Sequence, residues 1–490
     1  MKTAKQLLSS LLAFVTVGCV LASCGETVSE GKTETDAATD DAAVTEAVTE
    51  APTELEQLPA ADYEGYEFRI LLNNQDDRFV DVMTEDEETG DVMNDIVYRR
   101  NRAVEEQFHV KLTGTQDEYT KVNDTLKKEV QAGLNEHDLF FSNCYATTLA
   151  SGGFLYVLND LPNLDLKKPY WDAAALEGMS VAGKVYLVTG DVSPTSMLTS
   201  SCLVFNKKLF SNNDMEFPYA LAADGKWTID VLADMTKDLT QDLNGDGKYT
   251  MGDDLFSFSS WMCDSPYSLF YGAGGTLSKK NSDDIPEVSI DTGRITAIYD
   301  KIYQIIIDTN SYFVTDAAQY PTTYQNFANG DAYFCEITLQ KIDAFLRDME
   351  DDYGILPIPK WDEAQKTYLS CVNGAGGFVV VPNNAEDPER TGMIFEALAA
   401  GAYDMISPSL YDVITKTRNV RDEDSVEMVN LITRQRVFDP FYINLCTGYD
   451  FAQSLLSGKS KEVASKLASM ESPAIAAMEK VVKAYTESVQ

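Results

Sequence analysis

Residues 324–382 read YQNFANGDAYFCEITLQKIDAFLRDMEDDYGILPIPKWDEAQKTYLSCVNGAGGFVVVP, and this stretch decides the fold class. It places a turn, three apolar runs of strand length and an amphipathic helix in the order turn 329–331, strand 332–337, helix 339–349, strand 353–358 and strand 371–381. Apolar runs rich in β-branched residues are typical of buried parallel strands in α/β sheets. The stretch therefore predicts one α/β layer that passes its chain to a second layer at the prolines that bound Ile358.

Three motifs in this stretch resemble the late part of a known family. FANGDAYF (327–334), DYGILPIP (352–359) and GGFVVVP (376–382) follow the order seen in extracellular solute-binding proteins of ABC importers, in the carbohydrate-type, maltose-binding-protein-like family. The resemblance extends loosely from about Tyr63 to about Gly401. It implies an α/β fold of two-lobe, periplasmic-binding-protein-like (type II) architecture, with hinge crossovers and a C-terminal helical part.

The resemblance also divides the chain. It implies a first lobe from residues 63–197 plus 362–415 and a second lobe from residues 198–361 plus 416–490. Hinge strands are expected near Ser193 to Ser201 and Lys360 to Tyr368. Helices from about residue 408 onward are expected to brace the second lobe and the hinge.

The amino terminus reads as an export signal. Lys2 and Lys5 precede an apolar stretch, 7–21, that is shorter than the roughly 20 residues of a membrane span. LASCG (21–25) resembles a bacterial lipobox, which implies a signal peptide over 1–23 and a lipid anchor on Cys24; an ordinary signal peptide is the alternative. Residues 24–62 are rich in Thr, Ala, Glu and Asp, and this composition predicts a disordered acidic tether.

Charge and composition exclude several kinds of partner. The chain carries 78 acidic and 39 basic residues and a formal net charge of -39. Nucleic acid and anionic lipid faces are therefore excluded as partners, so membrane contact is expected only through the lipid anchor of a monomer. The last six of the eight cysteines are scattered singly, which predicts mostly buried free thiols rather than a disulfide framework.

Candidate ligand contacts follow predicted strands or glycine-rich aromatic segments. Polar loops at the carboxyl ends of parallel strands are where α/β sheets bind ligands, and aromatic rings stack on the apolar faces of sugars. A solvated loop or a place in the core is the alternative for each residue. The predicted contacts are Asn73, Asn74, Tyr145, Ser193, Trp261, Tyr271 and Glu336. Where the resembling family often has Asn-Gly-Pro-Trp, this sequence continues from Glu336 to Thr338 without the tryptophan.

One segment has the spacing of a calcium loop. Residues 242–253 read DLNGDGKYTMGD, with oxygen-bearing side chains at positions 1, 3 and 5, glycine at position 6 and a carboxylate at position 12. The spacing predicts a structural Ca²⁺ held by Asp242, Asn244, Asp246, the carbonyl of Lys248, and Asp253. An Asx-rich turn without metal is the alternative. No organic cofactor is predicted.

The favoured function is a tethered receptor on the extracellular face of a bacterial cell membrane. The resemblance implies that it captures a small ligand, most simply a sugar or oligosaccharide, between its lobes and delivers it to the membrane subunits of an ABC importer. Neither histidine of the chain lies in a zinc-peptidase motif and no serine lies in a nucleophile elbow, so no enzyme is predicted. A cell-surface glycoside hydrolase and an adhesion or scaffold lipoprotein are the alternatives. The sequence leaves the ligand open.

Overall fold

The structure, a computed structural model, describes residues 51–74, 82–84, 87–372, 376–416, 423–444, 446 and 451–487. The predicted signal peptide, Cys24 and most of the predicted tether lie outside these residues. From Pro52 onward the chain forms one compact unit. Leu55 is buried, and the amides of Glu54 and Leu55 donate to Asp404 at 3.2 and 2.9 Å. The folded part therefore begins near Pro52 rather than at residue 63, because Leu55, Leu58 and Ala61 pack on the core of the first sheet.

Thirteen strands lie in the described residues. They are β1 Tyr66–Asn73, β2 Val110–Asp117, β3 Leu139–Ser142, β4 Ser201–Asn206, β5 Phe256–Trp261, β6 Ser278–Lys280, β7 Pro286–Val288, β8 Tyr312–Val314, β9 Ala332–Thr338, β10 Tyr353–Pro357, β11 Ser370–Cys371, β12 Phe378–Val380 and β13 Arg436–Val437.

Seventeen α-helices lie in the same residues, and none of these is long and apolar enough to cross a membrane. They are α1 Val92–Phe108, α2 Val122–Ala132, α3 Thr147–Ser151, α4 Ala173–Met179, α5 Pro194–Leu198, α6 Lys207–Asn212, α7 Tyr219–Ala223, α8 Ile229–Thr236, α9 Ser265–Gly272, α10 Thr292–Tyr303, α11 Pro321–Ala328, α12 Leu339–Leu346, α13 Pro388–Lys416, α14 Glu423–Arg434, α15 Pro440–Ile443, α16 Phe451–Ser457 and α17 Val463–Glu487. Short 3₁₀ turns cover Cys144–Ala146, Leu158–Asp160 and Ala317–Gln319, and a π-helical turn covers Gln304–Asp308.

Local sequence signals set several helix ends. Thr228 caps α8 by accepting a hydrogen bond from the amide of Val231, as its position before the apolar face predicts. Gly133 ends α2 in the left-handed conformation, with φ of 66°. The carboxyl-terminal part is helical as expected, but α13 begins at Pro388, which is 20 residues before the predicted start. Proline is well placed in a first helical turn, and this signal was missed.

The first sheet has the strand order β12-β3-β1-β2. β1 pairs in parallel with β2 and β3, so the carboxyl ends of these strands share one edge. β12 pairs antiparallel to β3. The prediction that 371–381 forms a buried parallel strand is therefore wrong in direction, because the chain enters from the second sheet without a crossover helix. Residues 183–188 form only isolated bridges, one of them between Val188 and Val379.

The second sheet has the strand order β10-β4-β9-β5-β8. β9, β5 and β8 run in parallel, whereas β4 runs antiparallel between β9 and β10. The carboxyl ends of β9 and β5 therefore share an edge with the amino end of β4. This arrangement brings Ser201, Trp261 and Thr338 to the same side of the sheet.

Each sheet has its own hydrophobic core. Phe68, Phe141 and Phe395 belong to the core of the first sheet, and Leu203 and Phe334 belong to the core of the second. Smaller clusters link the two around α12, α13 and the final helix α17. All six cysteines from Cys144 onward are free thiols, and only Cys263 among them is partly exposed. Two packed α/β halves with shared helical bracing make up this architecture.

Candidate functional site

Asn73 and Asn74 lie at the carboxyl end of β1, on the edge predicted to bind ligand. Asn73 donates from Nδ2 to the carbonyls of Phe141 and Ser142 at 3.4 and 3.3 Å, so it ties the ends of two strands together. Asn74 is exposed, and its side-chain oxygen accepts from the amide of Tyr119 at 3.2 Å. The first asparagine therefore shapes the edge, while the second still faces solvent.

Tyr145 projects from the same edge. Asn143, buried at the end of β3, accepts from the amide of Tyr145 at 3.0 Å and so fixes the 3₁₀ turn that carries this ring. The ring is 44% exposed and packs edge-on against Tyr119, with ring centroids 6.3 Å apart. An exposed ring that is held by a buried cap can stack on a ligand with little loss of side-chain entropy.

The second sheet presents a denser edge. Trp261, the last residue of β5, is only 7% exposed, and its ring centroid lies 6.0 Å from that of Tyr320. Lys341 donates from Nζ to Asp264 at 2.9 Å and to the hydroxyl of Tyr324 at 3.0 Å. Burial lowers the pKa of Lys341, but Asp264 and Tyr324 outweigh this and raise it well above its ordinary value. The lysine therefore stays charged and paired.

Glu336 supports the second edge from the buried interior of the second half. It is fully buried in β9 and accepts from Ser265 at 2.9 Å and from Ser268 at 2.7 Å. Ser265 in turn accepts from the amide of Trp261 at 3.1 Å. Burial first, and then Asp264, raises the pKa of Glu336 to about 7. Glu336 supports the edge and does not reach solvent.

The two halves contact each other beside the two edges. Burial raises the pKa of Tyr145 on the first edge, and the nearby thiols of Cys144 and Cys263 add to this in the same direction. Between the sheets, the hydroxyl of Thr147 lies 3.3 Å from the carbonyl oxygen of Ile443, while Asp439 accepts from the amide of Leu277 at 3.0 Å. These contacts join the halves through α15, and the region between the two edges is the candidate cleft.

The chain crosses between the sheets beside this cleft. Ser200, just before β4, bridges to Val372, just after β11, and β11 pairs with β13. The crossing at 190–201 agrees with the expected hinge. The second crossing lies beyond residue 368 rather than at 360–368, because the amide of Lys360 donates to the carbonyl of Trp227 and the hydroxyl of Tyr368 donates to the carbonyl of Ala222, both in the second half.

Other predicted residues lie deeper than a ligand contact requires. Ser193 is fully buried in the turn that precedes α5 at the first crossing. Tyr271 is 2% exposed within the second core and packs against Phe270 and Tyr442. Core packing, the alternative that the sequence left open for Tyr271, is what the structure describes. Ser193, Tyr271 and Glu336 therefore support the cleft from behind its surface.

Side chains of the predicted calcium loop accept hydrogen bonds from the backbone amides of the same loop. Asp242 accepts from the amides of Gly245 and Gly247 at 2.7 and 2.8 Å, and Asn244 and Asp246 each accept from an amide two residues onward. Asp254, rather than the exposed Asp253, closes the loop, accepting from Leu243 at 2.9 Å and Thr250 at 2.7 Å. Among the described residues, no group of three or more His, Cys, Asp or Glu side chains could hold a metal ion.

Sequence reasoning missed several residues of the cleft edges. They are Tyr119, Asp264, Tyr320, Gln340 and Lys341. Gln340 and Lys341 directly follow β9, so the rule that ligands lie beyond strand carboxyl ends could have found them. Tyr320 precedes a proline-initiated helix far from any strand end, and no local signal marked it.

Two α/β halves, polar strand ends and chain crossings beside the cleft define the two-lobe class of substrate-binding folds. The family profile described as bacterial extracellular solute-binding protein matches residues 102–401, and the chain belongs to this family. The search of curated proteins gave no match.

Solved structures agree with this fold. UspC of M. tuberculosis is 13% identical, with a TM-score of 0.55 over 84% of this chain and 100% of its own. A cyclo/maltodextrin-binding protein complexed with maltotetraose is 13% identical, with a TM-score of 0.54 over 86% and 97%. The galacto-N-biose-/lacto-N-biose I-binding protein of the Bifidobacterium longum ABC transporter is 13% identical, with a TM-score of 0.54 over 87% and 98%. At this identity, the likeness shows the fold alone.

Proposed function

We propose that this chain is a membrane-tethered extracellular receptor that captures a sugar or oligosaccharide in its cleft and delivers it to the membrane subunits of an ABC importer. The observation that carries the proposal is the ring of Tyr145, which is 44% exposed at the carboxyl-terminal edge of the first sheet, in a turn fixed by the buried Asn143. An aromatic face surrounded by amides and hydroxyls suits a sugar, because its C–H face stacks on the ring while its hydroxyl groups take hydrogen bonds.

Family membership supports the receptor, and the ligands named for two of the neighbours, maltotetraose and lacto-N-biose, support a sugar. In this proposal Asn74, Tyr145 and the exposed part of Trp261 contact the ligand. The walls of the cleft are supported by Asn73, Ser193, Tyr271 and Glu336. The receptor acts as a monomer with no enzymatic activity, and closure of the two halves around the ligand forms the surface that the importer recognises.

The anchor is part of the same proposal. Cys24 carries the lipid and residues 25–51 form the tether, which holds the receptor at the extracellular face of the membrane. The docking of Leu55 supports a fixed exit point for that tether on the first half. Metabolic labelling with a lipid precursor, compared between the full chain and Cys24→Ala, measures the anchor. Loss of label in the variant is expected, and equal labelling would reject Cys24.

A combined experiment tests the receptor against the alternatives. Small-angle scattering and calorimetry on the chain from Gly25 onward, with a panel of oligosaccharides, should show binding together with a smaller radius of gyration. A product assay runs on the same samples. Released products would favour the glycoside hydrolase, and an absence of both binding and compaction across the panel would favour the scaffold lipoprotein.

We also propose that residues 242–254 bind a structural calcium ion. The spacing of Asp242, Asn244 and Asp246 and the exposure of the loop support this. Asp254 is the better closing carboxylate than Asp253, because it already hydrogen bonds to both ends of the loop. The loop would supply oxygen ligands to a hard cation and would be stabilised by neutralisation of its carboxylates.

A further inference from the structure

The first turn of α12 is open, in the sense that no side chain caps its backbone amides. α12 spans Leu339–Leu346 and starts at the carboxyl end of β9, on the cleft edge of the second sheet. Thr338 occupies the N-cap position, but its side chain makes no capping hydrogen bond, and the first turn contains no acidic residue. The amide of Leu339 donates to the carbonyl of Ser200 at 3.2 Å. Within the described chain, the amides of Gln340 and Lys341 have no acceptor, so the positive end of the helix dipole is uncompensated there.

Buried polar side chains without partners surround this turn. Thr338 is 2% exposed, Gln340 is 4% exposed and Ser200 is fully buried, yet Thr338 Oγ1, Gln340 Nε2 and Ser200 Oγ have no hydrogen-bond partner. The pairing of Ser201 with Thr338 places Ser200 at the same turn. A buried donor without an acceptor costs about 1–3 kcal/mol, so such a group signals a missing partner.

The open turn belongs to the cleft. Lys341, in the same turn, donates to Asp264, which follows the carboxyl end of β5 on the same edge. Ser200 bridges to Val372 at the crossing. The turn therefore lies at the base of the cleft, where the chain passes between the sheets.

The two carboxylates near this turn already have partners, so they do not serve as acceptors for its free donors. Asp264 is neutralised by Lys341 at 2.9 Å. Both carboxyl oxygens of Glu336 accept hydrogen bonds from serines, and burial raises its pKa, which reduces its negative charge near neutral pH. Two backbone amides and the amide group of Gln340 therefore remain as donors without an acceptor. A group with two acceptor oxygens and a negative charge fits such a turn best.

We propose that the turn formed by Ser200, Thr338, Gln340 and the amide of Lys341 binds a carboxylate on the ligand, so that the receptor is selective for an acidic sugar of the uronic acid type. This inference rests on the proposed function and narrows its ligand class. The net charge of -39 repels anions only over a distance, and physiological salt screens that repulsion beyond about 8 Å. The uncompensated helix end acts at contact distance.

Calorimetry with matched ligands tests the selectivity. The probes are digalacturonic acid and α-1,4-linked galactobiose, together with galactose 6-sulfate. The two disaccharides differ only in that the first has carboxylates where the second has hydroxymethyl groups. Digalacturonic acid should bind at least tenfold more tightly than galactobiose. Equal or tighter binding of galactobiose would overturn the carboxylate assignment while leaving the sugar receptor in place. Tighter binding of the sulfate would overturn it as well. If neither these probes nor neutral oligosaccharides bind, the proposed function fails with the inference.

Isosteric variants locate the site. Gln340→Leu and Thr338→Val remove polar atoms that have no partner, so both proteins should fold with unchanged or higher stability. Each should lose about tenfold in affinity for digalacturonic acid and little for galactobiose, because the lost donor serves only the carboxylate. Gln325→Leu, at an exposed position of α11, is the matched control. Equal loss for both ligands, or unchanged affinity of Gln340→Leu for digalacturonic acid, would refute the subsite.

Discussion

The two cleft edges differ in how their functional side chains are held. On the first edge, Tyr145 is 44% exposed, and the buried Asn143 fixes its backbone from behind. On the second edge, Trp261, Thr338 and Gln340 are 7%, 2% and 4% exposed, above a buried network around Glu336. The first edge offers a surface, and the second offers enclosed hydrogen-bonding groups.

This difference assigns different tasks to the edges. A ring face accepts many sugars, because stacking depends on shape and apolar area. Enclosed donors without acceptors discriminate strongly, because a ligand that lacks the matching oxygen leaves them unpaired. We therefore expect changes to the first edge to alter affinity without altering stability, and changes under the second edge to alter stability.

The largest expected effect is on stability, from Glu336→Ala. The variant leaves the hydroxyls of Ser265 and Ser268 without their acceptor in a closed space, so the free energy of unfolding should fall by about 3 kcal/mol. Urea denaturation at pH 5.5 measures it, with Glu350→Ala at an exposed position as the control. A loss no larger than that of the control would remove the distinction between the edges.

The second effect is the pH dependence of stability, tested with Glu336→Gln. The pKa of Glu336 is raised from 4.5 to about 7, so the folded state binds a proton that the unfolded chain has released. The resulting contribution is complete below pH 4.5 and is lost as the pH rises through 7. The wild type should lose about 2 kcal/mol of unfolding free energy between pH 5 and 8 from this group. Denaturation across that range should give a flatter profile for the variant, and parallel profiles would contradict the assignment.

A smaller effect, on affinity, is expected for Tyr145→Ala. Loss of the exposed ring should weaken sugar binding about tenfold, through lost stacking and apolar contact. The free energy of unfolding should change by no more than about 0.5 kcal/mol, because the ring lies outside the cores. Tyr249→Ala, at a position with 45% exposure away from the cleft, is the control. Unchanged affinity in Tyr145→Ala would place the ligand elsewhere.

The smallest expected effect is that of calcium, which concerns neither edge. Calcium should raise the melting temperature by a few degrees, since a ligand of the folded state stabilises it by mass action. Asp246→Asn should reduce this increase, whereas affinity for the sugar should not change with chelator. Calorimetric titration with CaCl₂ checks the binding directly. If chelator abolished sugar binding, calcium would act at the cleft instead.

Sequence patterns predicted much of the scaffold but less of the site. The strands at 66–72 and 332–337, the cap at Thr228 and the helix end at Gly133 follow from local periodicity and turn chemistry. The direction of β12 did not, because antiparallel and parallel strands have the same apolar pattern when both faces are buried. The second crossing lies later in the chain than predicted, and its position also depends on contacts between distant residues. Hydrogen bonds to Trp227 and Ala222, more than 130 residues away, hold 360–368 on the second sheet.

The sequence by itself determined two α/β halves, their order along the chain and the family to which they belong, because periodicity, turns and motif order are local properties. Only the tertiary structure decided that Tyr145 is exposed while Tyr271 is buried. Tyr145 lies in the turn after β3 and Tyr271 lies in α9, and the sequence alone does not tell which ring is covered. Phe270 and Tyr442 pack against the buried Tyr271, whereas Tyr145 packs edge-on against Tyr119 and stays 44% exposed. Exposure depends on which distant segments cover a side chain, and that coverage is fixed only when the sheets and helices pack together.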